Sequence, residues 1–277
     1  AREMNLNWRG MRAVIGKDLR QVLQNRMVWL PMILLPAIMQ VILPLVLILL
    51  PSFVDPSEFD PAELAPLLKN MPGPLRERLL GLSGAQSWIV LSANYMFAPL
   101  FLIVPLMVST ILAADSFVGE KERKTLEGLL YTPISDEELF LAKVLVAFLP
   151  SLAISTGSFV VYGIVVNASG YHAVGRLFFP DPTWWPLVFW LGPGVSVAGL
   201  GATVLISSKA KTFMQAQQIA GVLVLPIVFL MIAQISGLFF LSMGIVVITG
   251  AIIWAIGLWL VWVGAKTFSR GELITRV

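Results

Sequence analysis

The sequence contains no cysteine and only one histidine, His172. Disulfide staples and thiolate metal sites are therefore excluded, and one imidazole cannot build a multi-histidine metal site. Charged residues make up 13% of the chain, about half of the share that is usual in soluble domains. The sequence also has no Gly-x-x-x-x-Gly-Lys-Ser/Thr phosphate loop, so work driven by ATP would need a separate ATPase chain. We therefore expect no catalytic residue, no metal and no cofactor in this chain.

What the chain has instead is long hydrophobic runs, and hydrophobic residues make up 57% of it. A helix needs about 20 apolar residues to cross a bilayer. Four runs of that length lie at about 28–50, 94–114, 139–166 and 184–206. A longer run, 219–265, is interrupted at Gln234, Ser236 and Gly237, which divides it into a fifth span and a sixth. The fold class predicted is all-α, a polytopic membrane protein with six transmembrane helices.

The N-terminal segment, residues 1–27, is predicted to form an amphipathic helix that lies at the cytoplasmic membrane interface. Its apolar residues recur at spacings of three and four: Met11, Val14, Ile15, Leu19, Val22 and Leu23. Its other face is basic, with Arg9, Arg12, Lys17, Arg20 and Arg26. This combination suits an anionic leaflet, although a short helix packed on a partner has the same pattern. Residues 28–277 then form the transmembrane domain.

The orientation follows from the distribution of Lys and Arg. The N-terminal helix, the loops after the second and fourth spans, and the tail at 266–277 carry 15 of the 19 basic residues, and the opposite loops carry 4. Both termini are therefore predicted to be cytoplasmic. The longest outer loop, at about 51–87, is predicted to form one or two short amphipathic helices within 56–80.

The loop after the second span is the most informative segment. Residues 117–134 are predicted to form a short polar helix, and Leu126, Leu129 and Leu130 make one apolar edge. Pro133 limits its length, and Ser135 with Glu138 forms a capping box before the third span. From the pattern alone, this helix either docks into a groove on a cytosolic partner or is an ordinary solvated loop helix.

The string Glu-x-Glu-x-x-Thr-Leu-Glu-x-Leu-Leu-x-x-Pro-Ile-Ser, at Glu120–Ser135, resembles the signature of ABC type-2 transporter permeases, the sodium- and drug-export permeases among them. A second stretch, Ser208–Gln218, resembles the family's loop into the fifth span. The resemblance is specific in these two segments. One departure is the outer loop, which is short where many of these exporters carry a large outside domain, so the substrate class is not implied.

The resemblance implies a permease subunit of an ABC exporter in the plasma (inner) membrane of a prokaryote. The implied partners are two ATP-binding cassette ATPases, which hold ATP and Mg²⁺, and a second permease copy in a homodimer. Membrane lipid is the other partner, and no nucleic acid is expected. The segment at 117–134 would be the coupling helix that enters a cleft on the ATPase. The residues expected at that interface are Glu120, Glu122, Thr125, Leu126, Glu127, Leu129 and Leu130.

Small or neutral polar residues within the spans are the candidates for lining a substrate path between two permease copies. They are Ser109, Thr110, Ser155, Thr156, Ser158, Ser196 and Gln218. Ser and Thr in helices also bond to their own helix carbonyls, which is a structural interpretation of the same residues. Gly194, Ala198 and Ala202 repeat at a spacing of four, which predicts close helix packing.

Three other classes of protein fit parts of the sequence. A secondary carrier or channel would need no ATPase, but charged residues are missing from the middle of all six spans. A membrane enzyme acting on lipid would need converging acids, bases or metal ligands at a membrane face. A membrane-embedded assembly factor or anchor is excluded least well.

Overall fold

The computed structural model describes residues 7–54, 73–79, 81–123 and 134–268. Within these residues the chain is helical and has no strand. The eight helices are α1 (Trp8–Gln24), α2 (Arg26–Ser52), α3 (Gly73–Leu79), α4 (Gly84–Glu122), α5 (Asp136–Val174), α6 (Trp184–Ser207), α7 (Phe213–Ile235) and α8 (Met243–Thr267). All but α1 and α3 are long and apolar enough to cross a membrane, which confirms the six predicted spans.

Helix α4 is much longer than the apolar run predicted for it. α4 begins at Gly84, well before the predicted start at residue 94, because Ser83 and Gln86 form a capping box that the hydrophobic pattern does not reveal. At 39 residues α4 is about 58 Å long, roughly twice the thickness of a bilayer core. Its ends therefore extend beyond the hydrocarbon, where polar and charged side chains are tolerated.

α4 forms the core of the molecule. In its most apolar stretch 83% of the residues are buried, against 61% for α6 and 17% for both α7 and α8. α5 and α6 pack on α4, and α8 packs on the outward side of α6. The helices around this core keep apolar side chains exposed, as expected for surfaces that face lipid.

Small residues set the approach of α6 to α8. A Cβ atom added at Gly257 would lie 2.8 Å from the backbone nitrogen of Ala198, and one at Gly201 would lie 2.8 Å from Cβ of Leu260. Side chains at these positions would push the two helices apart. In the predicted packing stripe of Gly194, Ala198 and Ala202, a Cβ atom added at Gly194 would lie 3.0 Å from the ring of Trp254 on α8, and Ala198 faces Gly257, so the helix contact is confirmed for these two residues.

The long C-terminal run divides where the sequence predicts. α7 ends at Ile235, and Gly237 follows with a φ of 71°, a conformation that favours glycine. α8 begins at Met243. The predicted break is therefore confirmed at Ser236 and Gly237, whereas Gln234 lies in the last turn of α7, and the chain reverses between the fifth span and the sixth.

Candidate functional site

The end of α4 next to α1, called the cytoplasmic end after the predicted orientation, carries a buried acid. One turn of π-helix, Asp115–Gly119, precedes Glu120, which is 1% exposed. Lys143 of α5 is equally buried, and its Nζ donates to Glu120 Oε2 and to the backbone oxygen of Ser116, both at 2.5 Å. The same Nζ lies 5.6 Å from the centroid of the Phe117 ring. α4 and α5 are thus joined by an ion pair that solvent screens little.

α1 supplies a second cation to the same carboxylate. Lys17 Nζ donates to Glu120 Oε1 at 2.6 Å, so the two oxygens of Glu120 accept from different lysines. Burial lowers the pKa of Lys17, but the hydrogen bond and charge of Glu120, together with the charge of Asp18, raise it above the ordinary value overall. Lys17 is therefore charged at neutral pH, and one carboxylate connects α1, α4 and α5.

Asp18 completes this buried ion cluster, which we define as Lys17, Asp18, Glu120 and Lys143. Asp18 is 4% exposed. Lys17 Nζ lies 2.9 Å from its Oδ1, and neither oxygen has any other hydrogen-bond partner among the residues that the structure describes. Burial raises the pKa of Asp18, the charge of Lys143 opposes that rise and the charge of Glu120 adds to it. The cluster thus contains one buried acid, Asp18, whose capacity to accept hydrogen bonds is only partly used.

Two contacts fix the chain that follows Glu120. Arg123 Nη2 donates to Asp115 Oδ1 at 3.0 Å, which spans the π turn. Glu122 Oε2 accepts from the backbone N–H of Phe213, the first residue of α7, at 2.8 Å. The last turn of α4 is therefore fastened to α7 as well as to α1 and α5.

The residues just before α5 are fixed in a similar way. Ile134 is 6% exposed and packs in a small apolar cluster with Met11 of α1. Ser135 Oγ accepts from the backbone N–H of Glu138 at 3.2 Å, and Glu138 Oε2 accepts from that of Ser135 at 2.8 Å, so the predicted capping box is confirmed. The other oxygen of Glu138 accepts from the backbone N–H of Asn7 at 2.7 Å.

The structure therefore describes only two of the seven predicted coupling residues, Glu120 and Glu122. Five of them lie outside the described residues: Thr125, Leu126, Glu127, Leu129 and Leu130. Glu122 is exposed, whereas Glu120 lies inside the chain. Their contact with a partner stays a prediction. The described geometry adds that both flanks of segment 124–133 are anchored to α1 and to the buried ends of α4 and α5.

The candidate residues for a substrate path are dispersed rather than gathered at one site. Ser109 and Thr110 donate to the carbonyls of Leu106 and Met107 in their own helix. Ser196 donates to the carbonyl of Pro105, 3.2 Å away, and therefore joins α6 to α4. Gln218 is exposed on α7 and Thr156 is partly exposed on α5. Two others remain without such an assignment: Ser155 Oγ has no hydrogen-bond partner among the described residues, and Ser158 lines a groove.

The buried polar residues that the sequence-based prediction missed include Asp18 and Gln40. Asp18 follows the apolar residues Met11 and Val14 at spacings of seven and four, so the helical pattern already placed an acid on the face that is buried. Gln40 stands at the centre of the first span, where any polar residue is conspicuous, and it is 3% exposed. Both signals were present in the pattern of the sequence.

A comparison with known families identifies the chain. The family model described as an ABC-2 family transporter protein matches residues 12–250, which is most of the sequence. The chain belongs to the ABC-2 transporter family. It is therefore a multi-pass membrane permease subunit of an ABC transporter, and its partners are ATP-binding cassette ATPases. The resemblance seen at Glu120–Ser135 is confirmed. A comparison with curated proteins gives no match.

The family match includes the cytoplasmic end of α4 and the residues that contact it. The match includes α1 from residue 12, all of α4 to α7, and the segment between α4 and α5. The buried ion cluster thus lies wholly within the part of the chain that is typical of an ABC-2 permease.

Proposed function

We propose that this permease subunit works as an exporter and is driven by ATP that two separate cassette ATPases hydrolyse. The proposal rests on one observation, the anchoring of both flanks of segment 124–133 in a chain of the ABC-2 family. Lys17 and Lys143 hold the flank at Glu120, and α1 packs against the flank at Ile134. A segment anchored in this way transmits force to the spans, whereas a loop with free flanks would absorb it.

In this proposal Glu120 is a positioning residue rather than a surface contact. Its carboxylate is occupied by two lysines inside the chain, so it fixes the direction in which α4 enters the segment. Glu122 is exposed, so a basic group of the ATPase would reach its carboxylate from the surface even though its Oε2 accepts from the backbone N–H of Phe213. Leu126, Leu129 and Leu130 would fill an apolar groove on the ATPase. ATP and Mg²⁺ would bind to the ATPases and not to this chain.

The proposed assembly contains two copies of this chain and two ATPases. The substrate would pass between the two permease copies across the plasma membrane of a prokaryote, with both termini in the cytoplasm. The excess of Lys and Arg on the side of α1 supports this orientation. Closure of the ATPases on ATP would move the two coupling segments together, and α4 and α5 would carry that motion to the spans.

The substitution Leu126→Asp tests this proposal. A charge on the apolar edge should prevent docking, so ATP-driven transport and the stimulation of the ATPase should both fall by at least about tenfold. Both activities are measured in vesicles that contain the chain and its ATPase. Leu177→Asp, at a residue that is 72% exposed between α5 and α6, makes the same chemical change elsewhere and should leave both activities unchanged. Normal transport by Leu126→Asp at normal expression would refute the docking role.

A further inference from the structure

A groove between α2 and α5 contains a buried amide that the protein does not satisfy. Gln40 lies in the π turn Ile38–Ile42 of α2 and is 3% exposed. Neither its Nε2 nor its Oε1 has a hydrogen-bond partner within the described parts of the chain. An amide that is buried away from water and left unpaired destabilises the folded state. Such a group is retained where something else pairs with it.

The space beside Gln40 has the size of a site for a small molecule. The groove has a volume of about 290 Å³, close to the lower end of ligand pockets. The residues that line it are uncharged and include Met32, Pro36, Gln40, Gly157, Ser158 and Val161. The volume is far too small for a helix. The walls suit an apolar body with one polar group.

The groove opens towards the lipid. Gln40 stands near the middle of α2, and Ser158 stands near the middle of α5. The side chains at the rim are apolar and exposed, with Ile33 at 59% and Val161 at 45%. A ligand that reaches this site therefore arrives through the bilayer core. That route excludes ions and favours neutral molecules.

We infer that this groove binds a neutral amphipathic molecule from the bilayer, with an uncharged hydrogen-bonding group such as an amide or hydroxyl placed against Gln40. Both amide atoms are enclosed by their neighbours. The side chain therefore turns into the groove when the ligand binds, so that its Oε1 accepts a hydrogen bond from the ligand and its Nε2 donates one, while the apolar part of the ligand lies against Met32 and Val161. If the chain exports molecules as proposed above, this is the class of substrate it takes. The binding itself does not depend on that function.

Labelling in vesicles tests the inference on the purified chain. The probe is a long-chain primary amide that carries a photoreactive diazirine, and the matched probe is the same chain without the amide. The amide probe should label peptides that contain residues 32–41 and 154–161, and Gln40→Leu should reduce this labelling by about threefold to tenfold. The hydrocarbon probe should not distinguish the two proteins. Equal labelling of wild type by both probes, or of wild type and Gln40→Leu by the amide, would overturn the inference.

Filling the groove gives a second test that avoids any loss of polar contacts. A Cβ atom at Gly157 meets no atom within 4 Å, so Gly157→Leu should fold and occupy the groove. Gly221 of α7 is equally open and lies outside the groove, which makes Gly221→Leu the matched control. Labelling by the amide probe should be lost in Gly157→Leu and kept in Gly221→Leu. Full labelling of Gly157→Leu would contradict the site.

Thermal unfolding separates a ligand site from a structural role. Without probe, Gln40→Leu should unfold at the same temperature as wild type or higher, because it removes an unpaired amide. Gln234→Leu is the control: Gln234 is also 3% exposed, but its Nε2 donates to the carbonyl of Tyr95, so this variant should unfold earlier. Early unfolding of Gln40→Leu would mean that its amide has a partner in the protein.

Two further outcomes distinguish this inference from its alternatives. The chain has no cysteine, so Val161→Cys places a single thiol at the rim. Rapid formation of a disulfide-linked dimer would show that a second copy covers the groove, and would overturn lipid access. With the ATPase present, binding of the probe without ATP-driven transport would refute the proposed function alone. Transport of the probe that is unchanged in Gln40→Leu and Gly157→Leu would refute the groove alone.

Discussion

The two ends of α4 are held by different chemistry. At the cytoplasmic end, a buried ion cluster connects α4 to α1 and α5, and Lys143 and Glu120 are each 1% exposed. At the opposite end, Asn94 donates through Nδ2 to the carbonyl of Phe178 at 3.2 Å and accepts through Oδ1 from the backbone N–H of Asp181 at 3.0 Å. Trp184 adds a hydrogen bond to the carbonyl of Asn94.

This difference assigns different tasks to the two ends. Amide-to-backbone hydrogen bonds and packed rings define one geometry, because each bond has a fixed direction. Ion pairs are less directional, and a lysine on a long side chain keeps its contact through small displacements. In the proposed function, the outer end would fix α4, whereas the cytoplasmic end would hold it and still permit the movement that an ATPase imposes. Four predictions test this contrast, in order of decreasing effect.

The largest effect is expected from Lys143→Met. This change removes one of the two lysines that bind the buried carboxylate of Glu120, and breaking a buried ion pair destabilises a protein by about 3–5 kcal/mol. The free energy of unfolding, measured by chemical denaturation in detergent, should fall by that amount. Lys209→Met removes an exposed cation near the same membrane face and should have little effect.

A double variant shows whether the loss of stability in Lys143→Met comes from the unpaired charge or from lost packing. Replacing Glu120 by Leu together with Lys143 by Met removes both buried charges, so most of the lost stability should return. ATP-driven transport should not return, because α1 is then no longer fastened to α4 through Lys17. Recovery of both stability and transport would show that the buried ion cluster has only a structural role.

The second prediction concerns the outer end, where Asn94→Leu keeps the size of the side chain and removes its amide. The backbone N–H of Asp181 and the carbonyl of Phe178 lose buried partners, which should lower the free energy of unfolding by about 1–3 kcal/mol. Transport per folded molecule should be unchanged, in contrast to Lys143→Met. His172→Ala, at an exposed residue in the last turn of α5, should leave the free energy of unfolding within about 0.5 kcal/mol of wild type and transport unchanged.

The third prediction is a dependence on pH. Burial raises the pKa of Asp18, so the folded chain binds this proton more tightly than the unfolded chain does. The ionised form therefore lowers stability at neutral pH, and that penalty disappears as the pH falls through the raised pKa. Asp18→Asn should be more stable than wild type by about 1 kcal/mol at neutral pH. Unfolding measured from pH 8 to pH 4 should show the two curves converging towards acid; a constant gap would contradict burial as the cause.

The smallest effect is expected from Thr110→Val. The hydroxyl of Thr110 donates to the carbonyl of Met107 in the same helix, 3.0 Å away, so its loss removes a local bond and no contact between helices. Stability should change by less than about 0.5 kcal/mol, and transport should match wild type. A loss of transport without a loss of stability would indicate that Thr110 lines the substrate path.

Much of this architecture follows from the sequence. Six apolar runs give six spanning helices, and Gly237 marks the turn between the last two because its φ is positive. The capping box of Ser135 and Glu138 is local, so four residues suffice to predict it. The small residues of α6 predict close packing because their period matches one helical face.

Contacts between distant segments could not be predicted. The resemblance at Glu120–Ser135 predicts Glu120 at the interface with the ATPase, because it places this residue in the coupling helix. The two lysines that bury it come from positions 17 and 143, and only the assembled fold brings them together. The start of α4 was placed too late because hydrophobicity marks the membrane and not the helix, which continues beyond it to Gly84.

Crosslinking from Leu126 tests the central claim most directly. A photoreactive amino acid at this position is activated in intact membranes that contain the chain and its cassette ATPase, with and without ATP. We predict an adduct between the chain and the ATPase whose yield changes with ATP. The same amino acid at Leu177, on the opposite side of the membrane in the predicted orientation, should give a much weaker adduct. Adducts with lipid or solvent alone, in membranes where the ATPase is present, would contradict the account.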